Sequence, residues 1–225
     1  MDSAQTIQRI VESEGFQTLS PQVKVALFLG GMALISAALV TMTAFTRIVI
    51  VLSFVRRALS TQEIPPTQVI LGLSLFLTLF VMGPTLTSIE GDAVHPYLEG
   101  TIDGQTAWLR GSSALHEFMI RQTRKADIAL FAGMANVKQI TTPAETPMHV
   151  LIPAYVISEL KTAFIMGFCL YIPFILIDLV VSVILMSLGM MMMPPMVIST
   201  PFKILLFILV DGWQLIARVL SMSFH

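Results

Sequence analysis

Apolar residues run from Val25 to Val55 with Arg47 as the sole charge, and again from Thr67 to Ile89 with no charge at all. Each run exceeds the ~20 residues that a helix needs to cross a bilayer. Between them, "FVRRALSTQEIPP" sets Arg56, Arg57, Pro65 and Pro66 close together, a turn signal because proline removes a backbone donor and basic residues seek water. The pattern then changes, for Glu90 to Val150 holds 12 of the 27 charged residues. A third apolar stretch, Met148 to Met193, is interrupted by Pro153, Glu159, Lys161, Pro173 and Asp178, and a fourth, Met196 to Met222, contains Lys203, Asp211 and Arg218. The pattern predicts an all-α integral membrane protein built from four long apolar helices in two hairpins. A polar leader occupies residues 1–24, the first hairpin 25–89, a water-facing helical insertion 90–150 and the second hairpin 151–225. Pro153 and Pro173 predict kinks in the third helix.

Composition agrees with the pattern. Of 225 residues 55% are hydrophobic and 12% charged, with a mean hydropathy of +0.82, whereas soluble domains carry about 25% charged residues. The net charge of -1 predicts no general attraction to nucleic acid. A single cysteine, Cys169, excludes an intrachain disulfide and a multi-cysteine metal site, and its apolar setting reads as packing. The opening "MDSAQTIQRIVESEGFQTLSPQ" has no basic region followed by an apolar one, so a signal peptide is not expected in it. Insertion is expected through the first helix or after a removed leader. Arg56 and Arg57 flank the first loop, while the insertion has no basic residue from Glu90 to Leu109 and only Lys138 in its last part. The first loop is therefore expected in the cytoplasm and the insertion outside, with Arg9 and Lys24 opposing this weakly.

Within the insertion, Leu115, Phe118, Met119, Gln122 and Ala126 recur at helical spacing, followed by Ile128, Leu130, Phe131 and Met134, and Arg121, Arg124 and Lys125 interleave with them. Two amphipathic helices, or one bent helix, are expected. They serve either as a cap on the apolar helices or as a contact surface for sibling subunits.

The segments "MTAFTRIVIVLSFVRRAL", "PPTQVILGLSLFLTLFVMGP", "EFMIRQTRKADIALF", "IPAYVISELKTAFIMGFCLYIPFILIDLVVSVILMSLGMMMMPP" and "PFKILLFILVDGWQLI" occur in this order. Together they resemble the FliP family of flagellar type III export gates, whose injectisome counterpart is SctR. The resemblance spans residues 40 to 216. It implies a core subunit of a protein-conducting gate through which unfolded flagellar substrates cross the bacterial inner membrane, much of it on the periplasmic side. The implied partners are further copies of the chain, five in all, with FliQ-like, FliR-like and FlhB-like subunits, packed as a helical oligomer. No cofactor is implied. The alternative is a subunit of a small-solute or ion channel or transporter, which would bind or conduct a small molecule.

Two groups of residues stand out within that frame. Glu159, Lys161, Asp178, Lys203 and Asp211 lie in apolar helices, where a lone charge costs at least ~3 kcal/mol at the bilayer centre, and they are expected to form a buried charge network. With a turn near Met193, an antiparallel hairpin sets Asp178 and Lys203 about 7 Å apart along the axis at ~1.5 Å per residue. Glu159 lies too far from that turn to face Lys203, so its partner is expected from another helix or subunit. Asp211 and Arg218 share a helix face and are candidates to pair. Structural pairing is the reading adopted, with a proton relay as its alternative. The second group is Met190, Met191, Met192 and Met193, placed by Gly189 and two prolines at the tip of the second hairpin. In an oligomer such tips converge, and unbranched, polarizable side chains close a pore yet yield to what passes, so these methionines are the candidate gate.

Enzymatic readings find no support. The sequence has no GxxxxGK[ST], HExxH or GxSxG motif, and His95, His116, His149 and His225 lack metal-ligand spacing. Ser158 beside Glu159 has no histidine or lysine placed to activate it.

Overall fold

A computed structural model describes residues 20–61, 64–137, 142–190 and 193–224. Arg9, Lys138, Met191, Met192 and His225 fall outside them. Every regular element among the described residues is helical: α1 Pro21–Thr41, α2 Phe45–Ala58, α3 Thr67–Ile89, α4 His95–Leu98, α5 Gly104–Gln122, α6 Lys125–Met134, α7 Met148–Ser187, α8 Pro195–Leu209 and α9 Gly212–Met222. A π-helical turn, Glu90–Val94, joins α3 to α4, and a short 3-10 turn, Pro143–Glu145, precedes α7. Three helices are long and apolar enough to cross a membrane, and a fourth span exists only if α8 and α9, bent 63° from each other, count together.

Two of the expected long helices are therefore broken. The run from Val25 to Val55 divides at Met42–Ala44, and the last run divides at Val210–Asp211. Hydropathy records which residues avoid water, and two shorter helices avoid it as well as one long helix does. The third run is a single helix of 40 residues that carries Pro153 and Pro173 within it.

By internal contacts the chain forms two units, residues 20–43 with 82–155 and residues 44–81 with 156–224. The first contains the insertion. Asp103 caps α5 by accepting a hydrogen bond from the Thr106 backbone N–H at 3.2 Å. α5 packs against the end of α3 and the π-helical turn at Gly111, where a Cβ would make ordinary contacts with Ala93 and Ile89 at 3.8 and 3.9 Å. Extended backbone at Thr123 and Arg124 separates α5 from α6, so the insertion holds two helices rather than one bent helix. Phe118 meets Tyr155 with ring centroids 6.2 Å apart, and the Tyr155 hydroxyl donates to the Thr43 carbonyl at 2.9 Å. Burial of Met119, Leu151, Ala154 and Tyr155 supplies the apolar centre of this unit.

The second unit is organised around α2. Ile48, Val51, Leu52 and Val55 recur at three and four residue intervals and are all buried, so one face of α2 is fully covered. Gly167 of α7 admits the Phe54 ring so closely that a Cβ would lie 2.6 Å from it, and Phe54 meets Phe164 edge to face at 5.6 Å. Arg56 and Arg57 end α2 where the helix dipole favours cations. Polar side chains inside the apolar helices bond their own backbone, as Ser74 does to the Ile70 carbonyl and Thr78 to that of Ser74.

The cap of α5 makes a pH prediction. Hydrogen bonding to Thr106 holds the Asp103 carboxyl below its ordinary value of 3.8. A carboxyl depressed on folding stabilises the folded form above the unfolded pKa, and that contribution is lost as pH falls through the folded value. Hydrogen exchange at the first amides of α5 should therefore accelerate, relative to the intrinsic rate, as pH is lowered below about 4. Asp103→Asn keeps an N-cap oxygen and should remove the pH dependence.

Candidate functional site

Arg47 lies in the first turn of α2 and is 2% exposed, and Glu159 on α7 is 0% exposed. The Arg47 guanidinium grips the Glu159 carboxylate with both edges, Nε donating to Oε2 at 2.8 Å and Nη2 donating to Oε1. Its remaining nitrogen, Nη1, donates to the Ser223 carbonyl at 2.8 Å and to the Ser223 hydroxyl at 3.0 Å. The Phe224 ring lies under the same group, 3.8 Å from the guanidinium carbon. One cation thus fastens α2, α7 and the end of α9 together. Only arginine has the planar fork that permits this, because lysine offers a single ammonium point.

A second, partly buried pair sits toward the other end of α7. Lys203 of α8, 1% exposed, donates through Nζ to Asp178 Oδ2 at 2.5 Å and to the Ser60 hydroxyl at 2.6 Å. Ser199, one turn before Lys203, donates to Asp178 Oδ1 at 2.6 Å. Ser60 occupies the left-handed region with φ 58°, in the turn that follows α2. Both carboxylate oxygens are thereby satisfied, and α8 is held to α7 and to the end of α2. The Asp178 side chain stays about one third exposed, unlike Glu159.

Of the five residues expected to form one charge network, Asp178 and Lys203 form a pair and Glu159 forms a separate one with Arg47. Lys161 and Asp211 are exposed on this chain and do not join either pair, which corrects the expectation of a single buried set. Among the described residues no ion pair joins Asp211 to Arg218, because Asp211 sits in the break between α8 and α9 with φ 49° and ψ 51° rather than on a helix face. Arg47 was missing from the expected set. Its signal was present, for it is the one charge in a 31-residue apolar run and needs a counter-charge there.

The tip of the second hairpin is set by its backbone. Gly189 adopts φ 74°, and the Met190 N–H reaches the Leu185 carbonyl at 3.0 Å while the Gly189 N–H reaches that of Met186 at 3.1 Å. This pair of bonds is the Schellman ending of a helix, which requires a residue that tolerates the left-handed conformation. Pro194, extended with ψ 121°, and Pro195 at the first position then open α8. Met190 and Met193 flank the turn and are each 40% exposed. Met191 and Met192 lie outside the described residues. Below the turn, Leu176, Val180, Ile184, Leu185, Ile198 and Phe202 line an apolar cleft of about 550 Å³ between α7 and α8.

A family model described as the FliP family matches residues 28–220. The chain belongs to the FliP family. It is 51% identical over 211 residues to the flagellar biosynthetic protein FliP of Pectobacterium carotovorum subsp. carotovorum, covering 94% of this chain and 82% of that one. It is 47% identical over 215 residues to FliP of Bacillus subtilis (strain 168), covering 96% and 97% of the two chains. With FliP of Aquifex aeolicus (strain VF5) the identity is 42% over 213 residues, 94% of this chain and 89% of the other. Membership makes the protein a membrane component of flagellar biosynthesis and export rather than an enzyme. The FliP match contains every residue of the two ion pairs and both flanks of the methionine turn, though not Ser223 or Phe224.

Removing one member of the buried Arg47–Glu159 pair should destabilise the chain by about 3–5 kcal/mol, because the other charge is left in an apolar core. Arg47→Leu combined with Glu159→Leu should be far less damaging than the two single changes added together, as thermal unfolding of the purified chain would measure. Exchanging Arg47→Glu with Glu159→Arg should restore part of the loss. Exchanging Glu159→Lys with Lys203→Glu should restore none, since those residues belong to different pairs.

Proposed function

We propose that the chain is a core subunit of the flagellar type III protein export gate and that the methionine turn is its gasket. In this reading several copies, five as the family resemblance implies, join FliQ-like, FliR-like and FlhB-like subunits to enclose a path for unfolded flagellar proteins across the inner membrane. Much of the assembly then stands on the periplasmic side.

The observation that carries the reading is the turn itself. Gly189 and the Pro194–Pro195 pair fix both of its ends, and Met190 and Met193 remain exposed between them, in a chain of the FliP family. A turn that only closed a hairpin would gain by burying such side chains. Methionine has three rotatable bonds and a polarizable sulfur, so a ring of these side chains seals by dispersion contacts and repacks around a passing segment. The broad apolar surfaces of α3 and α7 are consistent with burial against sibling subunits or lipid. The ion pairs serve the gate indirectly, by fixing α8 against α7 and so fixing where the turn stands.

Replacing Met190 to Met192 by alanine should leave the hairpin and its assembly intact while widening the closed constriction. Cells carrying the variant should take up ions or small dyes, with secretion of flagellar subunits retained or partly reduced. Leucine at the same positions should keep the seal and slow the export of bulky segments. An alanine variant that assembles, stays impermeable and exports at the normal rate would contradict the gasket.

A further inference from the structure

The run from Met196 to Met222 has no proline after Pro201, yet its helix turns through 63° at Asp211. Asp211 takes φ 49° and ψ 51°, the left-handed region that strains residues with a Cβ, aspartate less than most. Its side chain makes no capping bond to α9, so the aspartate does not itself stabilise the break. The exit from α8 is tight as well, with the Asp211 N–H bonded to the Ile208 carbonyl at 3.1 Å. Local preference therefore opposes the corner.

Packing holds it. A Cβ on Gly212 would lie 2.3 Å from the Phe207 ring, so that ring is wedged against the bare backbone of Gly212. Phe207 is buried and meets Trp213 edge to face at 5.2 Å, across the bend. The two limbs are also tied down, α8 through Lys203 to Asp178 and the end of α9 through Ser223 to Arg47, which grips Glu159. Glu159 and Asp178 stand roughly 28 Å apart along α7 at ~1.5 Å per residue. A continuous helix from 203 to 223 would measure about 30 Å by the same rise, whereas one bent by 63° measures about 26 Å. A straight limb suits the spacing of its anchors at least as well as a bent one.

We propose that Val210–Trp213 is a two-state elbow: a bent form held by Phe207 on Gly212, and a straightened form in which α8 and α9 run as one helix through Asp211. The two forms oppose ring packing to backbone strain, terms of similar size acting at one point, which is the condition for a small number of discrete states rather than gradual bending. Asp211 is exposed and Leu209 is 72% exposed, while Phe207, Gly212, Ile216 and Leu220 are buried and repack in the change. The elbow goes beyond the export reading and does not depend on it.

The test is a pulsed spin–spin distance measurement on the full chain purified in detergent. Labels go on Met196→Cys and Met222→Cys, both exposed, in a Cys169→Ser background. The bent form places these positions about 33 Å apart and the straightened form about 39 Å. The unmodified elbow should give a main peak at the shorter distance with a minor one at the longer. Gly212→Ala displaces the ring and Asp211→Ala favours the helix, so each should move population to the longer distance. Asp211→Gly, which removes the left-handed strain, should leave the shorter peak alone. If Gly212→Ala does not fold, Asp211→Ala decides, because its side chain is exposed. A single short distance in the unmodified chain and in Asp211→Ala would overturn the elbow and make the bend a fixed corner.

Discussion

A guanidinium taken from water into an apolar core loses hydration worth several kcal/mol, and it stays there only if its donors are matched by acceptors of the right number and direction. Arg47 meets that condition with three partners from two distant parts of the chain, Glu159 at a separation of 112 residues and Ser223 at 176, with Phe224 closing the remaining face. The requirement is geometric as well as electrostatic. A bidentate carboxylate must lie in the plane of the guanidinium, which fixes the rotation of α7 against α2, and the Ser223 carbonyl must approach from the other edge, which fixes the end of α9. Apolar packing alone would let these helices slide, since Leu, Ile and Val side chains accept several registers at similar energy.

The second pair extends the same logic toward the methionine turn. Lys203 holds α8 to Asp178 while its second bond reaches Ser60 beyond the end of α2. Between these two fixed points the hairpin has little freedom of register, so the position of Gly189 and of the flanking Met190 and Met193 follows from charges well below them. The proposed gasket calls for soft side chains on a stationary backbone; methionine has the first property, and the ion pairs contribute to the second.

Much of this was readable in the sequence, for reasons that differ from residue to residue. The helical class follows from composition, because so few charges are spread over so many apolar residues. Gly189 with Pro194 and Pro195 is a local signal, and the observed turn uses them for the backbone conformations that only those residues favour. The Asp178–Lys203 pair could be placed by counting residues from that turn. Glu159 could not, since its partner comes from another helix and no spacing rule reaches across 112 residues. The breaks at Met42–Ala44 and Val210–Asp211 were hidden because neither contains proline and both lie inside long, mostly apolar runs; at the second, Asp211 and Gly212 were a local signal read as part of a continuous helix. Lys161 and Asp211 misled for a related reason: an apolar neighbourhood in sequence does not place a side chain inside the chain's own core.

One buried arginine joins α2, α7 and the end of α9 into a cooperative whole. Hydrogen–deuterium exchange on the chain with residues 223–225 removed tests this directly, because the deletion takes away acceptors without touching α2 or α7. The account predicts that protection falls together at the C-terminal end of α9, along α2 around Arg47 and in α7 around Glu159, as parts of one unit that open jointly. Loss of protection confined to the last turn of α9, with α2 and α7 unchanged, would contradict it.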